Sequence, residues 1–369
     1  MTNVKLKDVL DYVQPTKYIV SNEKYNDEYD IPVLTAGKTF ILGYTDEKNG
    51  IYKASKENPI ILFDDFTTDC RYIDFDFKVK SSAVKILTPK TKDNIKYLYY
   101  LIKNIEYDTT SHKRYWISQY SNFSINLPSI EIQNEIVKKI ENIEYLIFNK
   151  NEQKKKLDEL IKSQFVEMFD GKFKEETLDN LCDVRDGTHD SPKYLSNSPY
   201  RFITSKNITN GKIDFTECKY ISEDDYNKFN LRSKVNFGDI LMPMIGTIGN
   251  PIIVKIKDDK IDFAIKNVAL IKFFENSKVN NIYINEYLKS SFFETYVESK
   301  ARGGTQNFIS LTDIRKIPIK VPAIKLQNKF ASFVEQIDKQ KLICEKEIKK
   351  VEELRDSKIQ EYFGGVVNE

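Results

Sequence analysis

Several short runs in this 369-residue chain hold the residue types that chemistry requires, and each lacks a part. Ala36-Gly37-Lys38-Thr39 has the form of the end of a phosphate-binding loop, where backbone N–H groups cradle the phosphates and the lysine reaches the outer one. The first glycine of that pattern falls on Pro32, so the cradle is missing and the run reads as a turn. Asn58-Pro59-Ile60-Ile61 and Asn250-Pro251-Ile252-Ile253 begin like an amino-methyltransferase loop. Both lack the second proline and the aromatic ring that would stack a flipped base. No glycine-rich loop follows a strand, so S-adenosylmethionine has no seat. Asp64, Asp65 and Asp69 lie close together, but no later Glu-x-Lys completes a nuclease site. His189, within Asp186-Gly187-Thr188-His189-Asp190, is of the acid–base type yet stands alone in a turn-rich loop. Cys70, Cys182, Cys218 and Cys344 are scattered, and the two histidines, His112 and His189, are far apart, so neither a zinc site nor a disulfide framework is expected. No nucleophile, base and orienter come together. The chain reads as a binder without a cofactor.

Other loops mix basic, amide and aromatic residues, the combination that phosphate and base-edge contacts need. In the first half these are Arg71 with Tyr72, and Lys113 and Arg114 beside Tyr115 and Trp116. In the second half they are Lys206 with Asn207, and Lys300, Arg302, Gln306 and Asn307; Thr247, within Gly246-Thr-Ile-Gly249, could bring backbone close to a phosphate. Tyr115 and Trp116 have core as their competing reading, and Thr204–Asn210 has a plain turn.

The whole composition limits what such loops can do. Lys and Arg number 57 against 55 Asp and Glu, a formal charge of +2, so any nucleic-acid surface is a local patch. Hydrophobic residues at 40% support real cores, and no run of eighteen apolar residues or N-terminal apolar signal is present. A cytoplasmic protein is expected.

The elements that carry these loops come as a duplication. A shift of 194 residues lays Ile125–Gly171 on Ile319–Gly365 without a gap, with 15 of 47 positions identical. Pro128-Ser-Ile130-Glu-Ile-Gln133-Asn134 meets Pro322-Ala-Ile324-Lys-Leu-Gln327-Asn328. After each proline, apolar residues recur at spacings of three and four, including Ile136, Ile140, Ile143, Leu157 and Leu160, then Phe330, Ile337, Val351 and Leu354. Each stretch predicts a helix about 57 Å long, stopped by Gly171 or by Gly364-Gly365. The stripes predict that the two helices pack antiparallel as a coiled coil, with solvated polar gaps at Lys150–Lys156 and Lys339–Lys341. The competing arrangement folds each helix back on its own globular segment. The intervening segments predict α+β folds with mostly antiparallel sheets, plus helices over Asn94–Asn104 and Asn280–Ser290. The expected organisation is a globular segment over 1–130, a helix over 131–170, a second globular segment over 171–324, a helix over 325–363 and a tail over 364–369. Two similar halves imply a pseudo-twofold fold.

On these residues the chain resembles the specificity subunits of type I restriction-modification enzymes. The resemblance rests on the repeated Pro-x-Ile-x-x-Gln-Asn openings, on Gly303-Gly304-Thr305-Gln306-Asn307-Phe-Ile-Ser310, on the Gly246–Gly249 loop and on the two-halves layout. It implies two target recognition domains reading a bipartite double-stranded DNA site, held apart by the helices. It further implies partnership with two methyltransferase subunits and, for cleavage, two restriction subunits, and no catalysis by the chain itself. Thr109-Thr-Ser-His-Lys-Arg114 replaces the Gly-Gly-Thr-Gln-Asn loop in the first half, so the target is expected to be asymmetric. A stand-alone DNA methyltransferase or nuclease, or a structural adaptor, is the alternative.

Overall fold

The computed structural model describes residues 2–37, 39–105, 114–209, 211–246, 248–300 and 308–364, and the backbone of 367–368. Contacts divide the chain into two compact units, one of Met1–Asn151 with Lys346–Glu369 and one of Glu152–Glu345. The division falls inside the two long helices, Ile130–Phe169 and Ile324–Phe363, so each unit owns half of each helix. Neither helix therefore belongs to a single globular segment.

The first unit holds a four-stranded antiparallel sheet in the order Leu10–Val13, Val84–Pro89, Ile60–Asp64, Cys70–Ile73. Ile60–Asp64 is buried throughout because its alternating side chains serve two cores. Ile61 and Phe63 pack with Trp116, Tyr120, Val137, Ile140 and Phe363, while Ile60 and Leu62 pack with Val79 and Ile86. A smaller sheet of Ile41–Thr45, Ile31–Leu34 and Lys78–Val79 closes that second core, and its last pairing is parallel. Val367–Asn368 returns to this unit and pairs with Ser124–Leu127, whose other edge takes Thr2–Lys5.

The second unit repeats the plan. Cys182–Asp186, Val268–Phe273, Ile240–Pro243 and Ile252–Ile253 form its four-stranded sheet, and Lys219–Ile221, Tyr200–Thr204 and Phe263–Lys266 form a smaller one with one parallel pairing. The sheets are thus largely antiparallel, as expected, with one non-local parallel pair in each unit that local patterning did not disclose. Ile240 and Met242 face one core while Leu241 faces the other. Burial pushes the thiols of Cys70 and Cys182 up to about 12, which keeps them neutral and poorly nucleophilic. No helix among the described residues is long and apolar enough to cross a membrane.

The helices run antiparallel inside each unit. In the first, Val137 and Ile140 share a core with Phe363, and Lys150 meets Glu347 at 2.7 Å. In the second, Lys154 pairs with Glu345, Lys341 with Asp158 at 2.5 Å, and the Phe165 and Phe330 rings lie 5.4 Å apart. Burial opposes the charge on Lys341, but the hydrogen bond and the charge of Asp158 outweigh it and raise the ammonium's pKa. The polar gaps expected to be solvated are therefore stitched across by ion pairs. Ile136, Ile140, Ile143, Leu157, Phe330, Ile337 and Val351 are buried or half-buried, as the stripe required. Leu160 and Leu354, expected on the seam, are instead 44% and 48% exposed, while Ile161, the stripe residue beside Leu160, is 5% exposed. A helix turns by about 100° per residue, so one step carries a side chain from the seam to its edge.

The repeated Gln-Asn pair explains how each long helix is anchored. Gln133 and Gln327 are fully buried. Gln133 Oε1 accepts from Asn94 N at 2.9 Å, and its Nε2 donates to Asp93 Oδ1 and Pro128 O. Gln327 Oε1 accepts from Asn280 N at 2.9 Å, and its Nε2 donates to Lys278 O and Pro322 O. Asn94 and Asn280 cap the helices Ile95–Lys103 and Asn281–Tyr287, and each donates its amide to Asn134 or Asn328. The motif is a clamp between two helix starts. Ile161→Ala is expected to cost about 2–5 kcal/mol and Leu160→Ala no more than about 1 kcal/mol, read from the urea unfolding midpoints of the two variants.

Candidate nucleic-acid interface

The turn joining Ile60–Asp64 to Cys70–Ile73 is built by its own side chains. Asp64 Oδ1 accepts from Phe66 N at 2.9 Å and its Oδ2 accepts from Thr67 Oγ1 at 2.5 Å. Thr68 completes the reversal with a left-handed φ of 63°. This leaves the Phe66 ring partly exposed at the tip. The Arg114 guanidinium lies 5.9 Å from that ring, and Tyr115 N donates to Asp65 O at 2.9 Å, which ties the segment after residue 113 to the turn. Arg71 stands on the same corner, paired with Asp69 at 2.9 Å and 5.9 Å from the Phe40 ring. Cations beside aromatic rings on an exposed turn suit phosphate and base contact.

Tyr72, expected to act with Arg71, does not share its face. Adjacent strand residues point to opposite sides. Tyr72 faces the helix Ile95–Lys103, with the Tyr99 ring at 6.1 Å and Lys96 Nζ at 5.0 Å. Tyr115 and Trp116 are core residues, 2% and 1% exposed. The run ending in Ala36-Gly37 connects two strands, Ile31–Leu34 and Ile41–Thr45, and not a strand to a helix, so it has no helix start to aim at a phosphate.

The second unit has the corresponding corner. The turn after Ile240–Pro243 carries Gly246 and Gly249 at φ of 81° and 83°, a conformation that favours glycine. Ile245 bridges to the exposed Phe308, and Ile309 N donates to Met244 O at 3.0 Å. Lys300 ends the helix Ser291–Lys300, with its Nζ 5.4 Å from the Tyr296 ring. The expected contacts Lys113, Thr247, Arg302, Gln306 and Asn307 lie outside the described residues.

Lys206 and Asn207 part company. Lys206 is exposed, whereas Asn207 is buried and its amide is consumed inside the unit. Its Oδ1 accepts from Thr204 N and Thr204 Oγ1, and its Nδ2 donates to Asp214 O. Asn207 holds a turn in place and presents no free amide to a base. His189 is also engaged on both ring nitrogens, by Asp186 Oδ2 at 2.9 Å and by Asn267 Oδ1 at 2.7 Å, while Arg232 pairs with the other Asp186 oxygen. That network was not legible, because Arg232 and Asn267 are remote in sequence. Among the described residues no group of three or more His, Cys, Asp or Glu side chains is placed to hold a metal ion.

The type I restriction modification DNA specificity domain matches the chain over residues 1–159 and 171–353. The specificity subunit of the Escherichia coli type I restriction enzyme EcoR124I/EcoR124II is 32% identical over 363 residues, covering 90% of this chain and 85% of that one. The crystal structure of a type I restriction-modification S subunit from M. genitalium aligns with a TM-score of 0.51 at 16% identity, covering 98% of this chain and 96% of that one. A chain from a structural study of complex assembly and conformational transition of the type I R-M system aligns with a TM-score of 0.55 at 15% identity, covering 99% of this chain and 97% of that one. The last two likenesses concern the fold.

Asn207→Ala is expected to destabilise the second unit by about 1–3 kcal/mol through its orphaned partners. Lys206→Ala should shift thermal unfolding by less than about 0.5 kcal/mol equivalent. A calorimetric scan of both variants separates the buried residue from its exposed neighbour.

Proposed function

The chain belongs to the type I restriction-modification DNA specificity family, whose members are the non-catalytic DNA-recognition components of those systems, and from that premise we propose that it reads a bipartite, asymmetric site. In this reading each unit recognises one half-site in the major groove through the corner of its four-stranded sheet. The observation that carries it is that one corner of one repeated scaffold is built from different residues in the two units. Phe66, Arg71 and Arg114 stand in the first, and the Gly246–Gly249 turn, Phe308 and Lys300 in the second. Corresponding corners carrying different side chains are what two sequence-specific readers on a common frame require.

The long helices serve as the spacer between half-sites and as the docking surface for two methyltransferase subunits, with two restriction subunits joining for cleavage. Forty residues give a helix of about 60 Å, enough to bridge half-sites about 34 Å apart along one turn of duplex. The near-balanced charge suits a subunit whose phosphate grip is shared with its partners.

Two measurements test the reading. In the complex with methyltransferase subunits, Phe66→Ala combined with Arg114→Ala is expected to lower discrimination at one half-site by about tenfold or more and to spare the other. Equal losses at both half-sites, or none, refute separate readers. Matched insertions of seven residues near Gln153 and Glu347 preserve helix phase closely and should lengthen the preferred spacer. Methylation mapping that returns the original spacing rejects the helices as spacer.

A further inference from the structure

The hydrogen-bond registers of the two four-stranded sheets correspond residue by residue. Ile61 lies opposite Leu87 as Ile240 lies opposite Ile271, and Val13 lies opposite Ile86 as Arg185 lies opposite Leu270. Continuing along the strands, Lys85 corresponds to Ala269, Asp65 to Met244 and Gln14 to Asp186. The bonds from Tyr115 N to Asp65 O and from Ile309 N to Met244 O confirm the alignment.

At this shared position the units differ in kind. In the second, Met244 and Ala269 sit in an apolar core. In the first, Lys85 and Asp65 side chains are both 0% exposed, with Lys85 Nζ 3.4 Å from Asp65 Oδ2 and donating to Gln14 Oε1 at 3.0 Å. That contact is longer than a charge-assisted hydrogen bond, and among the described residues Asp65 Oδ2 has no hydrogen-bonding partner. Burying two charges is costly, and an apolar pair of suitable volume serves a fold equally well or better. The second unit has that apolar pair, its buried carboxylate standing instead at Asp186, the counterpart of Gln14, paired with Arg232, so the scaffold does not require an ion pair at the Asp65–Lys85 position.

What the ions gain lies at the other oxygen. Asp65 Oδ1 accepts from Trp116 N at 2.9 Å, in the first turn of the short helix Tyr115–Ser118. The residue before that helix is Arg114, whose side chain makes no cap. In the second unit Ile309 corresponds to Tyr115, so Phe308 stands where Arg114 does; the helix there, Leu311–Arg315, starts two residues later and is capped by Ser310 Oγ, which accepts from Asp313 N at 3.1 Å. The remote carboxylate holds this earlier helix start, and Arg114 sits at its cap position with its guanidinium beside Phe66. Lys85 supplies the countercharge that lets this carboxylate be buried.

We propose that the buried Asp65–Lys85 pair is a positioning element of the first unit alone, fixing Arg114 against the Phe66 turn so that the two act together on DNA. The proposal rests on the DNA reading given above. Its test is binding by the complex with methyltransferase subunits to duplexes altered in one half-site at a time. The Phe66→Ala, Arg114→Ala chain marks the half-site read by the first unit. The double variant Asp65→Met, Lys85→Ala, which imports the second unit's residues, should unfold at the parent's temperature. It should lose about tenfold in discrimination at the marked half-site only, the worth of one good base contact. Asp65→Asn keeps an acceptor for Trp116 N but not the charge, and should lower the unfolding temperature with a smaller loss at that same half-site. Parental discrimination at both half-sites in the double variant overturns the proposal. So does loss at both half-sites in both variants, which assigns the pair to folding, and so does a Phe66→Ala, Arg114→Ala chain that marks neither half-site. A parent that discriminates no half-site fails earlier, as a failure of the DNA reading itself.

Discussion

Each long helix must bury one narrow apolar stripe along forty residues, and a lone helix has nothing to bury it against. The partner is the other helix together with the apolar face of a four-stranded sheet, and each unit provides both. Phe165 and Phe169 end the first helix in the core of the second unit, beside Tyr283 and Phe330. Phe363 ends the second helix in the core of the first unit, 5.1 Å from the Tyr97 ring. Each helix therefore begins in one unit and finishes in the other, and neither core is complete without both. The buried glutamines fix where each helix starts. Isolated helices of marginal intrinsic stability become definite in phase once such a clamp and such a core act at opposite ends.

That arrangement leaves the sheet corners free to diverge. The turn after Ile60–Asp64 is held by side-chain bonds from Asp64 and by a left-handed threonine, and the turn after Ile240–Pro243 by two left-handed glycines. Both solutions satisfy the same strand spacing with unrelated residues. Because Ile61/Phe63 and Ile240/Met242 meet equivalent cores, substitutions at the turns need not propagate into the packing beneath. A stable frame with interchangeable corners is the physical condition for two readers of different sequence on one chain.

The parts that could be read from sequence are those with local periodicity. The duplication, both long helices, and the capped helices beginning after Asn94 and Asn280 follow from spacing and from residues that bond within a few positions. The apolar stripe is legible from spacing, but which of its members turn fully inward depends on the partner helix, so Leu160 and Leu354 stand largely exposed while Ile161 is buried. The opposite faces of Arg71 and Tyr72 follow from strand alternation once Cys70–Ile73 is known to be a strand. Other features depend on partners far along the chain. Asn207 looks like an exposed recognition amide until Thr204 and Asp214 are seen to consume it. The parallel pairing of Ile31–Leu34 with Lys78–Val79 joins segments with no local signal linking them. Lys85 in a run of apolar residues gives no hint that Asp65 and Gln14 meet it.

If the first corner meets DNA as proposed, its charges favour specificity over indiscriminate grip. Arg71 is already paired with Asp69, so a phosphate that takes its guanidinium must compete with a carboxylate 2.9 Å away. Such a contact adds little to binding of arbitrary duplex, where counterion release supplies nearly all the driving force. It becomes favourable when neighbouring base contacts hold the duplex in register. The turn that presents Phe66 is held by bonds from Asp64 and by the burial of Asp65, and in the proposed reading this lowers the ordering cost that a flexible loop would incur on binding. In the proposed reading, a weak non-specific field together with a preordered corner leaves most of the discrimination to the few side chains at the tip. A net charge of only +2 over the whole chain is consistent with that division, since recognition then depends on where the arginines are held more than on how many there are.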